Sequence, residues 1–83
     1  MNSEQIKTIL EQAFPSAEIH VTGEGGKYDL RIVDDMFEAK RTVARQQAVY
    51  QPLNEHIASG AIHAVTIRAM TQEEWRKASL FGA

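Results

Sequence analysis

The stretch from Glu18 to Ile32 constrains this chain more than any other. Ile19 and Val21 alternate on one side of a glycine-rich break, Gly23-Glu24-Gly25-Gly26, and Tyr28, Leu30 and Ile32 alternate on the other. A period of two buries one face of a strand, and glycine supplies the backbone angles of a tight reversal. The segment predicts a β-hairpin with a strand Glu18–Thr22 and a return strand through Tyr28–Ile32. His20, Asp29 and Arg31 then point outward. A lone hairpin is marginal in water, so the rest of the chain has to cover its apolar face.

The flanking patterns are suited to that. Ile6, Ile9, Leu10 and Ala13 recur at helical spacing between Asn2 and Ala13, with Asn2 or Ser3 as cap and Pro15 beyond the end. Asp34–Arg41 reads as a connection with Met36 and Phe37 tucked beneath it. A second helical pattern begins near Arg41 and turns Val43, Gln46, Tyr50, Leu53 and Ile57 inward. Its opposite stripe, Arg41, Arg45, Ala48, Pro52 and Glu55, faces solvent. Pro52 lacks a donor and disfavours helix at Gln51, which predicts a kink or split there, and Gly60 ends the helix. A third strand follows, with Val65 and Ile67 buried and His63 on the same parity at its mouth. Thr71-Gln72-Glu73-Glu74 has the form of a capping box opening a last helix that carries Trp75, and 79–83 reads as a frayed tail.

The order α-β-β-α-β-α predicts a single α+β domain over 1–83 with a small three-stranded mixed sheet and helices on one face. The connection between the second and third strands is long enough for a parallel crossover.

Several function classes are excluded by what the chain lacks. It has no cysteine, hence no disulfide, no thiol nucleophile and no cysteine-held cluster of its own. No apolar run approaches the roughly 20 residues of a membrane span. The N-terminus lacks the blocks of a signal peptide, and the expected compartment is the cytoplasm. No nucleophile-elbow, zincin or Walker sequence is present, the serines lie at caps, turns and the tail, and Asp34-Asp35 and Glu73-Glu74 are a turn and a helix start. An enzyme is not expected.

Two groups carry potential chemistry. The first is basic. The net charge is −2, yet no acid occurs between Ala39 and Asn54, where Lys40, Arg41 and Arg45 lie. Such a stripe can meet phosphates or be simply solvated. Gly23-x-x-Gly26 has the form of a phosphate-clamping loop, but here it joins two strands and is explained by the hairpin. The second group is the histidines. His20 turns outward, and His56 lies late on the second helix. His63, at a strand mouth, could have one ring nitrogen held by backbone and the other free, which leaves both a structural and a ligand role open.

The segment RQQAVYQPLNEHIASGAIHAVTIRAMTQEEW (Arg45–Trp75) resembles the signature region of the BolA family. The shared features are Arg45, Val49-Tyr50, Leu53, Ile62-His63-Ala64, Thr71, Glu74 and Trp75. HVTGEGGKYDLRIVDDMFEAKR (His20–Arg41) matches the family's hairpin and Phe-bearing loop, and Gln46-Gln47 is similar to its IbaG (YrbA)-like branch. The resemblance implies a fold akin to type II KH domains. It also implies a heterodimer with a monothiol glutaredoxin, in which a 2Fe–2S cluster is shared between the glutaredoxin cysteine, glutathione and a histidine that aligns with His63. No cofactor is implied for the chain alone, which is expected as a monomer or weak homodimer. Lys27 stands where relatives often carry a second ligand, a His or Cys, and Ala39 stands where they usually have Gly, so that loop is expected to turn differently. The alternative implied role is a KH-like or helix-turn-helix DNA-binding regulator using Lys40, Arg41 and Arg45 with Lys27 and Arg31.

Overall fold

The computed structural model describes residues 1–80. The hairpin forms as β1 (Glu18–Glu24) and β2 (Lys27–Val33), paired antiparallel with Ile19 opposite Ile32 and Glu24 opposite Lys27. Gly25 and Gly26 make the two-residue reversal at φ +64° and +83°, angles that glycine adopts without a Cβ penalty. The third strand, β3 (Ala64–Met70), lies parallel to β2 with Lys27 opposite Ala64 and Val33 opposite Met70. The sheet order is β1-β2-β3, the mixed sheet that the element order predicts.

Helix α1 (Ser3–Ala13) begins at a capping box in which Asn2 accepts from Gln5 N and Gln5 accepts from Asn2 N, each at 2.9 Å. The crossover helix splits at Pro52 as expected, giving α2 (Thr42–Tyr50), a 3-10 turn over Gln51–Leu53, and α3 (Asn54–Ala58). The core joins Ile6 and Leu10 to Ile19, Tyr28, Leu30, Ile32, Phe37, Val49, Leu53 and Ile62. Burying each large apolar side chain is worth about 1.5–3 kcal/mol.

Four local expectations change. The buried stripe of the crossover helix is Val49 and Leu53 with the stem of Arg45, whereas Val43 is 65% exposed. The phase follows four-residue steps from Arg45, because that arginine finds acceptors at the sheet end and so tolerates a core-side position. Phe37 is fully buried, but its neighbour Met36 is exposed. The helix α4 (Gln72–Leu80) includes Ser79 and Leu80, which the sequence pattern places in a frayed tail; the remainder of that tail, 81–83, lies outside the described residues.

The fourth change concerns layering. α1, α2 and α3 lie on the face defined by Tyr28, Leu30 and Ile32. Trp75 of α4 instead stacks on Arg31, whose parity is opposite, with the guanidinium carbon 3.9 Å from the ring centroid. α4 therefore covers the outer face near Val33, which is buried at 4% exposure.

Candidate functional site

The parallel pairing of β2 and β3 puts the hairpin turn and the mouth of β3 at the same end of the sheet. There the Gly26 carbonyl accepts from His63 N at 2.7 Å and from Ala64 N at 3.1 Å. The His63 ring lies over Gly26: a Cβ built on that glycine would sit 3.0 Å from His63 Cδ2 and 3.1 Å from Cγ. Gly26 is thus favoured twice, by its positive φ and by the ring packed closely over it.

His63 is exposed, although its parity matches Val65 and Ile67. The reason is its place one residue before the strand, with Ile62 turning into the core at 2% exposure. The expected backbone grip on one ring nitrogen is absent. Among the described residues the only bonded histidine ring is His20, with Nε2 3.0 Å from Glu18 Oε1. The His63 ring lies over Gly26 and makes no hydrogen bond within the described residues, so the unprotonated nitrogen of its neutral form is open to a ligand.

The other histidines are placed differently. His20 lies on the outer face opposite Arg31. His56 is half-buried, its carbonyl accepting from Ile62 N at 3.0 Å. Lys27 lies opposite Ala64, next to His63 in sequence, but the burial of Tyr28 sends the Lys27 side chain to the outer face. Lys27 and His63 therefore do not converge as a ligand pair. No group of three His, Asp or Glu side chains gathers among the described residues.

The basic residues do not assemble either. Arg45 is a structural clamp rather than a solvated cation: its side chain is 14% exposed. Its Nε donates to the Lys40 carbonyl at 2.9 Å, and Nη1 donates to the Ala69 carbonyl at 3.1 Å and to Glu74 Oε1 at 2.7 Å. Arg31 is covered by Trp75, with its Nε buried and unpartnered. Lys40 and Arg41 are exposed at this clamped end. Lys27 starts β2 at the other, about 20 Å away at roughly 3.3 Å per residue. The clamp is what reading the sequence missed; the four-residue series Arg45, Val49, Leu53 is the signal that could have found it.

Glu74 completes that clamp. Its carboxylate accepts from Arg45 and from Thr71 N at 2.8 Å, while Glu74 N donates to Thr71 Oγ1 at 3.1 Å. The capping box is as predicted. The Arg45 hydrogen bond, then the Thr71 backbone, hold the Glu74 carboxyl below its ordinary value of 4.5. Ala39 needs no special backbone, since among the described residues only glycines have positive φ.

The pattern of the family described as BolA-like protein matches residues 4–74. The chain is 71% identical over 83 residues to a protein from the rpoN-murA intergenic region of Acinetobacter guillouiae, covering 100% of both chains. It is 39% identical to the acid stress protein IbaG of Escherichia coli K12, covering 93% of this chain and 92% of that one. The fold superposes on a bolA protein homologue from Coxiella burnetii with a TM-score of 0.79, at 23% identity, over 92% of this chain and 97% of that one.

Proposed function

This chain belongs to the BolA family, in its IbaG-like branch, and on that premise we propose that it lends His63 to a 2Fe–2S cluster held jointly with a monothiol glutaredoxin and glutathione, in iron–sulfur trafficking or iron homeostasis. The observation that carries the reading is the His63 ring, exposed at the sheet end and packed closely over a glycine whose Cβ would press on it. Such a ring is oriented before a partner arrives, which reduces the ordering cost of binding. An imidazole in place of a thiolate would raise the potential of such a cluster.

The chain's own residues do the positioning. Gly26 shapes the bed of the ring and its carbonyl pins the His63 backbone. Lys27 cannot act as a ligand while it is an ammonium, so His63 is the single ligand this chain offers. Anaerobic titration into cluster-loaded monothiol glutaredoxin, followed by visible circular dichroism, tests this. The spectrum should change and saturate at one chain per cluster, and His63→Ala should abolish the change. An unchanged spectrum with the intact chain would refute the proposal.

The DNA-binding alternative loses Arg45 and Arg31 as free cations in this conformation.

A further inference from the structure

The two edges of the sheet are finished differently. β3 is held near its end by Arg45, whose Nη1 donates to the Ala69 carbonyl. β1 is the other outer strand, and the hairpin fixes which of its backbone groups are spare. On β2's flanks the Gly26 carbonyl and Asp34 N bond toward β3, so the alternate residues Lys27, Asp29, Arg31 and Val33 bond toward β1. Their partners are Glu24, Thr22, His20 and Glu18. Ile19, Val21 and Gly23 therefore turn N–H and C=O to the free edge. Among the described residues neither another strand nor a loop backbone group meets those of Val21 or Gly23. Ile19 is buried, whereas Val21 is half-buried and Gly23 exposed. The edge carries no proline or lysine and pairs with β2 without a bulge, so it lacks several of the devices that keep a free strand from pairing.

The charges on the outer face select what fits this edge. Cross-strand pairing sets His20, Arg31 and Arg68 in one row. Glu18 reaches His20 and Asp29 reaches Arg68 from adjacent rows, but among the described residues no carboxylate reaches Arg31. A second β1 laid antiparallel and centred on Thr22 sets Glu24 of each copy opposite His20 of the other, at the open end of that basic row. It also sets Thr22 opposite Thr22, and both are favourable cross-strand pairs. Val21 then meets Gly23 of the other copy, which uses the exposed half of the edge. Other registers fit worse. Centring on Val21 sets Glu18 against Glu24, and centring on His20 joins two basic rows end to end. Centring on Ile19 or Gly23 overlaps only Glu18–His20 or Thr22–Glu24. We propose that two copies of this chain associate through β1, antiparallel about Thr22, into one continuous sheet. Its ladder bonds run between Val21 and Gly23 of opposite copies. The interface lies on the far edge from β3 and does not depend on the ligand role of His63.

Sedimentation velocity over a range of concentrations tests the association, and cysteine crosslinking tests the register. The chain has no cysteine, so one introduced thiol reports alone. The intact chain should form a dimer whose fraction grows with concentration. Thr22→Cys should oxidise to a disulfide dimer about tenfold faster than His20→Cys, because only position 22 faces itself across the two-fold axis within disulfide reach. Val21→Pro removes an edge donor and leaves the bonds to β2 intact, a place where an outer strand tolerates proline. It should weaken dimerisation about tenfold, since the two-fold axis doubles the loss of one hydrogen bond. Glu24→Lys, at an exposed position, tests the same contact without touching the backbone, and should weaken it about threefold at low salt. A chain that stays monomeric at millimolar concentration would overturn the proposal. Dimers that resist both Val21→Pro and Glu24→Lys, or equal crosslinking of Thr22→Cys and His20→Cys, would overturn this interface.

Discussion

Where β2 ends and α4 begins, Arg45 binds the carbonyls of Lys40 and Ala69 and the carboxylate of Glu74, which in turn caps α4 through Thr71. At the opposite end of the same sheet, where the hairpin turns and β3 enters, the exposed histidine rests on a glycine with no side-chain bond. The first arrangement uses nearly every polar group to hold the fold together. The second leaves one imidazole unused, and a ligating nitrogen left unused by the fold is available to something else. The contrast separates residues that resemble each other in sequence: both Arg45 and His63 belong to the BolA-like signature, yet one holds the structure and the other faces outward.

Replacements sharpen the contrast, the clamp being the costliest to break. Arg45→Ala should lower stability by about 1.5–3 kcal/mol, since it removes charge-assisted bonds to two backbone carbonyls and to the Glu74 carboxylate. Chemical denaturation measures it, and a loss under about 0.5 kcal/mol would show the clamp to be ornamental. At the open end Gly26→Ala should cost about 1–2 kcal/mol through its positive φ. It should also displace the His63 ring, seen as a shift of the ring resonances larger than that of His20 or His56. His63→Ala should stay within about 0.5 kcal/mol of the parent, as for a surface position; a larger loss would return His63 to a structural role.

Acid should loosen the clamped end. Because Glu74 has a lowered value in the folded chain, the stability it adds is complete above its ordinary 4.5 and is lost as pH falls through the lowered value. Trp75 emission should report α4 loosening in that window, and Glu74→Gln should lack the step. A step unchanged by Glu74→Gln would assign acid sensitivity elsewhere.

The sequence announces what depends on local pattern. The hairpin, the box at Thr71 and Glu74, and the break at Pro52 each follow from turn, cap or proline chemistry within a few residues. What depends on distant partners is harder to read. Arg45 is placed with the solvated stripe because its acceptors, Ala69 and Glu74, lie 24 and 29 residues away. Trp75 is legible only as a residue of the last helix, yet it covers Arg31 on the outer face of the sheet. His63 is legible as a strand-mouth residue, but its exposure rests on a crossing with Gly26 that only the folded sheet creates.

The most direct measurement is pulsed electron paramagnetic resonance on the reduced cluster formed with a monothiol glutaredoxin, using this chain labelled with ¹⁵N-histidine. The account predicts a strongly coupled ¹⁵N that persists when His20 and His56 are replaced and vanishes with His63→Ala. A reduced cluster showing no ¹⁵N coupling from this chain, or one that survives His63→Ala, would contradict it.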